Sequence, residues 1–150
     1  MTISYLNAAH RLGVNSGWSI SNLKLQKILY MADMNFSGQG KGRLINDDFE
    51  AWDYGPVLPS LYRDCKAFGA SPVPNIFWGA RDLNGTPEAA ILDLAWERLK
   101  SKSPGELVQA THWPDGAWAK RYVPGVKSIK ITTQDMINEY NTRIARKSAA

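Results

Sequence analysis

Few residues in this chain carry reactive side chains, and their spacing excludes most of the chemistry they could do. Cys65 is the sole cysteine, and the two histidines are His10 and His112. Structural zinc sites hold such ligands in closely spaced pairs. No pair of that kind occurs, so neither a metal nor another cofactor is expected. Nucleophilic catalysis needs a nucleophile, a base and an orienting group. Cys65 falls on the apolar face of its helix, which predicts a buried, inert thiol. His112 follows Thr111 at a helix end, a position suited to capping rather than to acid–base work. The glycine-rich run Gly38-Gln39-Gly40-Lys41-Gly42 follows a helix, whereas a phosphate cradle follows a strand. Asp47, Asp48 and Glu50 lack calcium-loop spacing. The reading is therefore non-enzymatic. A hydrolase built on His112 is the weakest alternative, because no nucleophile or acidic partner is in evident reach.

The aromatics remain. Trp52, Tyr54, Phe77, Trp78, Trp113 and Trp118 fall at element ends or in loops. There they serve either as core or as interface anchors. The segment Ala51 to Val57, placed between a small sheet and a helix, is the most informative stretch. The length of 150 residues favours one domain over residues 1–150. With 44% hydrophobic and 21% charged residues the composition is that of a globular chain. A lone cysteine suits a reducing cytoplasm. No apolar run reaches about 18 residues, so no membrane association is expected. The net charge of +4 is mild. Lys120, Arg121, Lys127, Lys130, Arg143, Arg146 and Lys147 read first as solvated faces and second as a nucleic-acid patch.

The elements that must position these residues follow from caps and periodicity. Thr2 caps a first helix to about Leu12, stopped by Gly13. Ser21 or Asn22 caps a second helix that ends near Phe36. On it Leu25, Ile28, Leu29, Ala32 and Phe36 share one face, and Leu23, Tyr30 and Met34 the opposite one. Lys24 and Lys27 lie in one gap between these faces, Gln26 and Asp33 in the other. A helix apolar on two sides is central in its bundle. Arg43–Ile45 and Phe49–Trp52 read as a hairpin turning at Asn46–Asp48. Trp52 points into the core, Gly55 takes an unusual backbone angle, and Pro56 with Pro59 opens a helix to Phe68. Thr86 starts a helix to about Lys100, and Ser103 with Glu106 forms a capping box for another ending near His112. Trp113–Trp118 reads as an aromatic loop and Ser128–Ile131 as a strand. Thr132 or Thr133 caps a final helix with Met136, Ile137, Tyr140 and Ile144 inward. The sum is a mostly helical α+β fold, a compact bundle of about six helices with a small two- or three-stranded antiparallel sheet.

Several of these segments together resemble the Panacea domain, the SocA-like antitoxin domain, a phage-associated family once of unknown function. Leu23-Lys24-Leu25-Gln26-Lys27-Ile28-Leu29-Tyr30 resembles its LKLQKLLY helix. Phe49 to Val57 resembles its F-x-AW-x-YGPV motif. Leu61-Tyr62-Arg63-Asp64-Cys65-Lys66 is similar to the LY-x-x-FK helix, with Cys65 in place of an aromatic. Ser103 to His112 resembles S-x-x-EL-x-x-x-TH. The family often continues to Pro-Trp, where this chain has Ala117-Trp118. The resemblance covers about residues 3–145.

The resemblance implies an antitoxin that neutralises a cognate protein toxin, encoded by a neighbouring gene, by direct binding. For some members it implies an adaptor that hands the toxin to a cytoplasmic ATP-dependent protease. It implies neither catalysis nor a cofactor. Toxin-binding or scaffolding roles carry over to Lys24, Gln26, Lys27 and Tyr30 of the first motif. They carry over likewise to Trp52, Tyr54, Gly55 and Pro56 of the second, and to Tyr62, His112 and Trp118. The alternative function is a phage or mobile-element regulator that binds nucleic acid through its basic patches.

Overall fold

The computed structural model describes residues 2–149; Met1 and Ala150 lie outside the described residues. Among them seven α-helices and three short strands alternate with turns: α1 (Tyr5–Asn15), α2 (Asn22–Phe36), β1 (Phe49–Trp52), β2 (Gly55–Val57), α3 (Pro59–Cys65), α4 (Pro87–Leu99), α5 (Pro104–Thr111), α6 (Ala117–Arg121), β3 (Lys130–Ile131) and α7 (Thr133–Ala149). The fold is thus α+β and mostly helical, with one helix more than the caps predicted.

Local side-chain chemistry sets most helix starts. Ser4, Ser21, Thr86 and Ser103 each accept a backbone N–H from the first turn of the helix they precede. Ser103 and Glu106 close the expected capping box. At α7 the Asp135 N–H donates to Thr132 Oγ1 at 3.0 Å, and Asp135 Oδ2 accepts the Thr132 N–H at 2.9 Å. The first helix differs from expectation. Its cap is Ser4 rather than Thr2, and it runs through Gly13 to Asn15. Gly13 is there for packing, because a Cβ would sit 2.2 Å from the Trp18 ring.

α2 is the centre of the molecule. It packs against α1, α3, α4, α5, α7 and β2. Its apolar residues Leu25, Ile28, Leu29, Tyr30, Ala32 and Met34 are all buried. The gaps between its two apolar faces are buried too: Gln26, Lys27 and Asp33 are each at most 2% exposed. After Phe36 the chain widens into a π-helical turn, Ser37–Lys41, interrupted at Gly40, whose φ of +82° is not helical.

The sheet departs from the expected hairpin. Its order is β2-β1-β3, both pairings antiparallel. β1 pairs with Gly55–Val57, in the register Glu50↔Val57, Ala51↔Pro56 and Trp52↔Gly55. Asp53 and Tyr54 form the turn. Pro56 is therefore a strand residue, and α3 begins at Pro59. Arg43–Ile45 stays outside the sheet. Asp33 captures its N–H groups, and Ile3 bridges to Ile45 in parallel. Phe49 and Ala51 face the core, so Trp52 falls on the outer, half-buried face. Expected inward, Ile144 is 46% exposed, whereas Met136 on the same helix is buried.

Candidate functional site

The two motif segments meet at the hairpin. A row of polar residues on α2 (Asn22, Gln26, Tyr30, Asp33 and Ser37) recurs at three- and four-residue spacing, which aligns it along one side of the helix. Three of its members, Gln26, Tyr30 and Asp33, each fasten a different part of the chain, and Asn22 and Ser37 bond to Gln26 and Asp33 within the row. Gln26 Oε1 accepts the Leu58 N–H at 2.8 Å, at the junction of β2 and α3. Tyr30 donates its hydroxyl to Glu139 Oε1 at 2.6 Å, on α7. Asp33 accepts the Leu44 and Ile45 N–H groups and the Ser37 hydroxyl. Burial pushes the Asp33 carboxyl up, and those three hydrogen bonds oppose the shift.

Lys27 lies beside this row and reaches under the hairpin. Its Nζ donates to the Pro56 carbonyl oxygen at 3.1 Å. Among the described residues no carboxylate accompanies it, and burial pushes its ammonium down to about 7. Gly55 makes the approach geometrically possible. Its φ is +112°, and a Cβ there would stand 3.0 Å from Lys27 Nζ, 3.1 Å from Thr111 Oγ1 and 3.3 Å from His112 Cδ2. Only glycine offers both the backbone angle and the space.

His112 ends α5 as its C-cap. Its ring lies flat on Trp118, with centroids 3.7 Å apart and planes 2° from parallel. Trp118 stacks in turn on Tyr122 at 4.5 Å. The Trp118 indole N–H donates to the Trp52 carbonyl oxygen at 2.6 Å, and the Tyr122 hydroxyl donates to Asp53 at 2.6 Å. This aromatic column ties down the hairpin turn, with His112 on the same side of Gly55 as Lys27. Burial and then the neighbouring Lys27 charge pull the His112 imidazole down. Among the described residues His112 Nε2, which is buried, has no hydrogen-bond partner. The expected aromatic loop is thus partly the helix α6, which carries Trp118.

Outside the hairpin, Trp52 packs edge-on against Tyr62 at 5.0 Å, with the Lys127 ammonium 4.9 Å over its ring. These residues, with Leu23, Gln26, Lys27 and Val57, line an open cleft of about 440 Å³. Tyr54 stands at its edge, 74% exposed.

Nine of the eleven residues singled out in the sequence converge on this region. Two do not. Lys24 donates to the Lys100 carbonyl at the C-terminal end of α4, 3.2 Å away, where a cation complements the helix dipole. Tyr30 is an interior post on Glu139. Glu139 itself escaped sequence reasoning. It accepts from Tyr30, from the Ala117 N–H and from Arg143. Its one sequence signal is Arg143 four residues later, an ordinary surface-helix pairing. Cys65 is buried with its thiol pushed up to about 12, mainly by that burial. Among the described residues no group of three His, Cys, Asp or Glu side chains could hold a metal ion. No helix among them is long and apolar enough to cross a membrane.

Fold and site together define a small helix-centred α+β scaffold in which buried residues of α2 clamp a hairpin beside a surface cleft. Residues 25–119 match the family described as antitoxin SocA-like, Panacea domain, and the chain belongs to that family. Over 110 residues it is 36% identical to antitoxin SocA of Caulobacter vibrioides (strain NA1000 / CB15N), a match covering 66% of this chain and 58% of that relative. The match therefore spans less than two thirds of the relative's length. No solved structure matches the chain. β3 and α7 lie beyond the residues that match the family, although Glu139 of α7 holds Tyr30 within them.

Proposed function

We propose that this chain is an antitoxin, working as a single domain in the cytoplasm, that neutralises a protein toxin by binding it directly. The observation that carries this reading is membership of a family described as SocA-like antitoxins. The geometry supports it. The polar motif residues are occupied in holding the scaffold together, and Lys27 and His112 are closed in beneath the hairpin rather than open to a substrate. In a binding protein such a clamp fixes the positions from which exposed residues make contact. On this reading the captured toxin is also handed to an ATP-dependent protease. The nucleic-acid alternative is disfavoured by charge pairing, which neutralises much of the basic C-terminal region. Arg121, Lys130, Arg143 and Arg146 are held by Asp135, Asp48, Glu139 and Asp115 respectively.

Co-expression with the product of the adjacent gene tests the reading. That product alone should arrest growth, this chain should restore it, and the two should co-purify. A harmless neighbour, or a toxic one that this chain neither rescues nor binds, removes the proposal. Depletion of the cell's ATP-dependent proteases should stabilise the toxin if hand-over occurs and leave it unchanged if blocking alone suffices.

A further inference from the structure

The cleft beside the hairpin is not used by the clamp. Its volume, about 440 Å³, falls within the roughly 300–1,000 Å³ of clefts that enclose ligands. Leu23, Val57, Trp52 and Tyr62 give it apolar and aromatic walls. Its charges are one-sided. Lys27, Lys66 and Lys127 line it against Asp53 alone, and the Asp53 carboxylate already accepts the Tyr122 hydroxyl. Among the described residues neither Lys66 nor Lys127 has a carboxylate partner. Lys66 follows α3, and Lys127 lies between α6 and β3, so the two charges come from separate elements. At the edge Tyr54 is 74% exposed on a turn whose neighbours Trp52 and Asp53 are hydrogen-bonded to Trp118 and Tyr122. An exposed aromatic on a fixed backbone next to an apolar groove is the usual form of an interface anchor.

We infer that this cleft docks the toxin through a segment that presents an acidic side chain beside an aromatic or large aliphatic one. The inference rests on the antitoxin reading and assigns its contact surface. The apolar side chain packs on Trp52 and Tyr62. The carboxylate pairs with Lys66 and Lys127 at the rim. Tyr54 covers the inserted segment and excludes water from it. The charge pattern selects against toxins whose matching segment is basic, because a like charge would meet Lys66 and Lys127 there.

The test uses the full chain, with Lys66→Glu and Lys127→Glu combined, and separately Tyr54→Ala. All three positions are exposed, and thermal melts establish that each variant is folded. Calorimetric titration with the adjacent gene's product is the readout. The double reversal should weaken binding by more than about tenfold and flatten its salt dependence, and Tyr54→Ala should weaken it as well. Toxin affinity within about twofold of the parent in both variants overturns the inference and leaves the antitoxin reading standing. If the parent binds no toxin, the antitoxin reading falls and a peptide pair decides the cleft. Acetyl-Phe-Glu-amide should then bind in preference to acetyl-Phe-Gln-amide, and the double reversal should abolish that preference. Equal binding, or none, overturns the inference.

Discussion

Gln26 holds both backbone polar groups of Leu58. The Leu58 N–H donates to Gln26 Oε1 at 2.8 Å, and Gln26 Nε2 donates to the Leu58 carbonyl oxygen at 3.5 Å. Leu58 is the N-cap of α3, and Leu61 at the third helical position has no oxygen to accept the cap N–H, so the glutamine of another helix supplies that buried partner. Gln26→Ala strands the Leu58 N–H and should cost about 2 kcal/mol in urea unfolding. Gln26→Met keeps the volume but not the acceptor and should cost nearly as much. Full stability in the methionine variant would show that only packing mattered.

Lys27 predicts a pH dependence of stability. Its folded ammonium is pushed down to about 7 by burial, whereas in the unfolded chain it returns to about 10.4. Between those values the unfolded chain holds the extra proton, so stability rises as pH climbs through the window. Below the folded value both states are charged, and the penalty for the buried ammonium is fully present. His112, also pulled down, adds a rise of the same sign at lower pH. Lys27→Met should remove a rise of a few kcal/mol between about pH 7 and pH 9. Parallel stability curves for parent and variant would contradict this.

Two glycines at positive φ separate backbone strain from steric conflict. At Gly69, φ is +56° and an added Cβ meets nothing within 4 Å. Gly69→Ala should cost about 1 kcal/mol. At Gly55 the added Cβ presses on Lys27 Nζ and Thr111 Oγ1. Gly55→Ala should cost about 3 kcal/mol and broaden the amide resonances of β2 in NMR. Equal effects at the two sites would mean that the close approach is unimportant.

Tyr54 and Trp118 should behave oppositely. Trp118 stacks on two rings and holds the Trp52 carbonyl, so Trp118→Ala should cost about 3 kcal/mol. Tyr54 is exposed, and Tyr54→Ala should change the unfolding free energy by less than about 0.5 kcal/mol while impairing growth rescue. A large loss of stability at Tyr54, or intact rescue, would refute this separation of scaffold from contact.

The sequence is most informative where a side chain serves its own neighbourhood, with Ser4 in place of Thr2 as the exception. Ser21, Thr86 and Ser103 cap helices through bonds spanning three residues, and those starts were found. Gly55 was also read correctly as a special backbone position. The hairpin differs from expectation although its pairing is local, Trp52 facing Gly55 across the two-residue turn Asp53–Tyr54. Arg43–Ile45 has the apolar pattern of a strand, but the nearby Asp33 carboxylate takes its N–H groups. Pro56 fits a helix start on local grounds and a strand on tertiary ones. α6 spans only five residues, too short to show a helical period. For the site, the segments were found but the directions of their side chains were not. Charge alone places Lys27 in solvent, and only the hairpin folded over it shows otherwise. Glu139 and Asp53 gain their partners from residues 109 and 69 positions away, which no local pattern records.

The fasteners on α2 grip peptide groups rather than side chains at three of their targets. Gln26 holds the amide of Leu58, Lys27 the carbonyl of Pro56, and Asp33 the amides of Leu44 and Ile45. A peptide group is the same whatever residue carries it. The central helix is therefore indifferent to the side chains of the residues it grips, and it is the core that constrains them, because Leu44, Ile45 and Leu58 are fully buried.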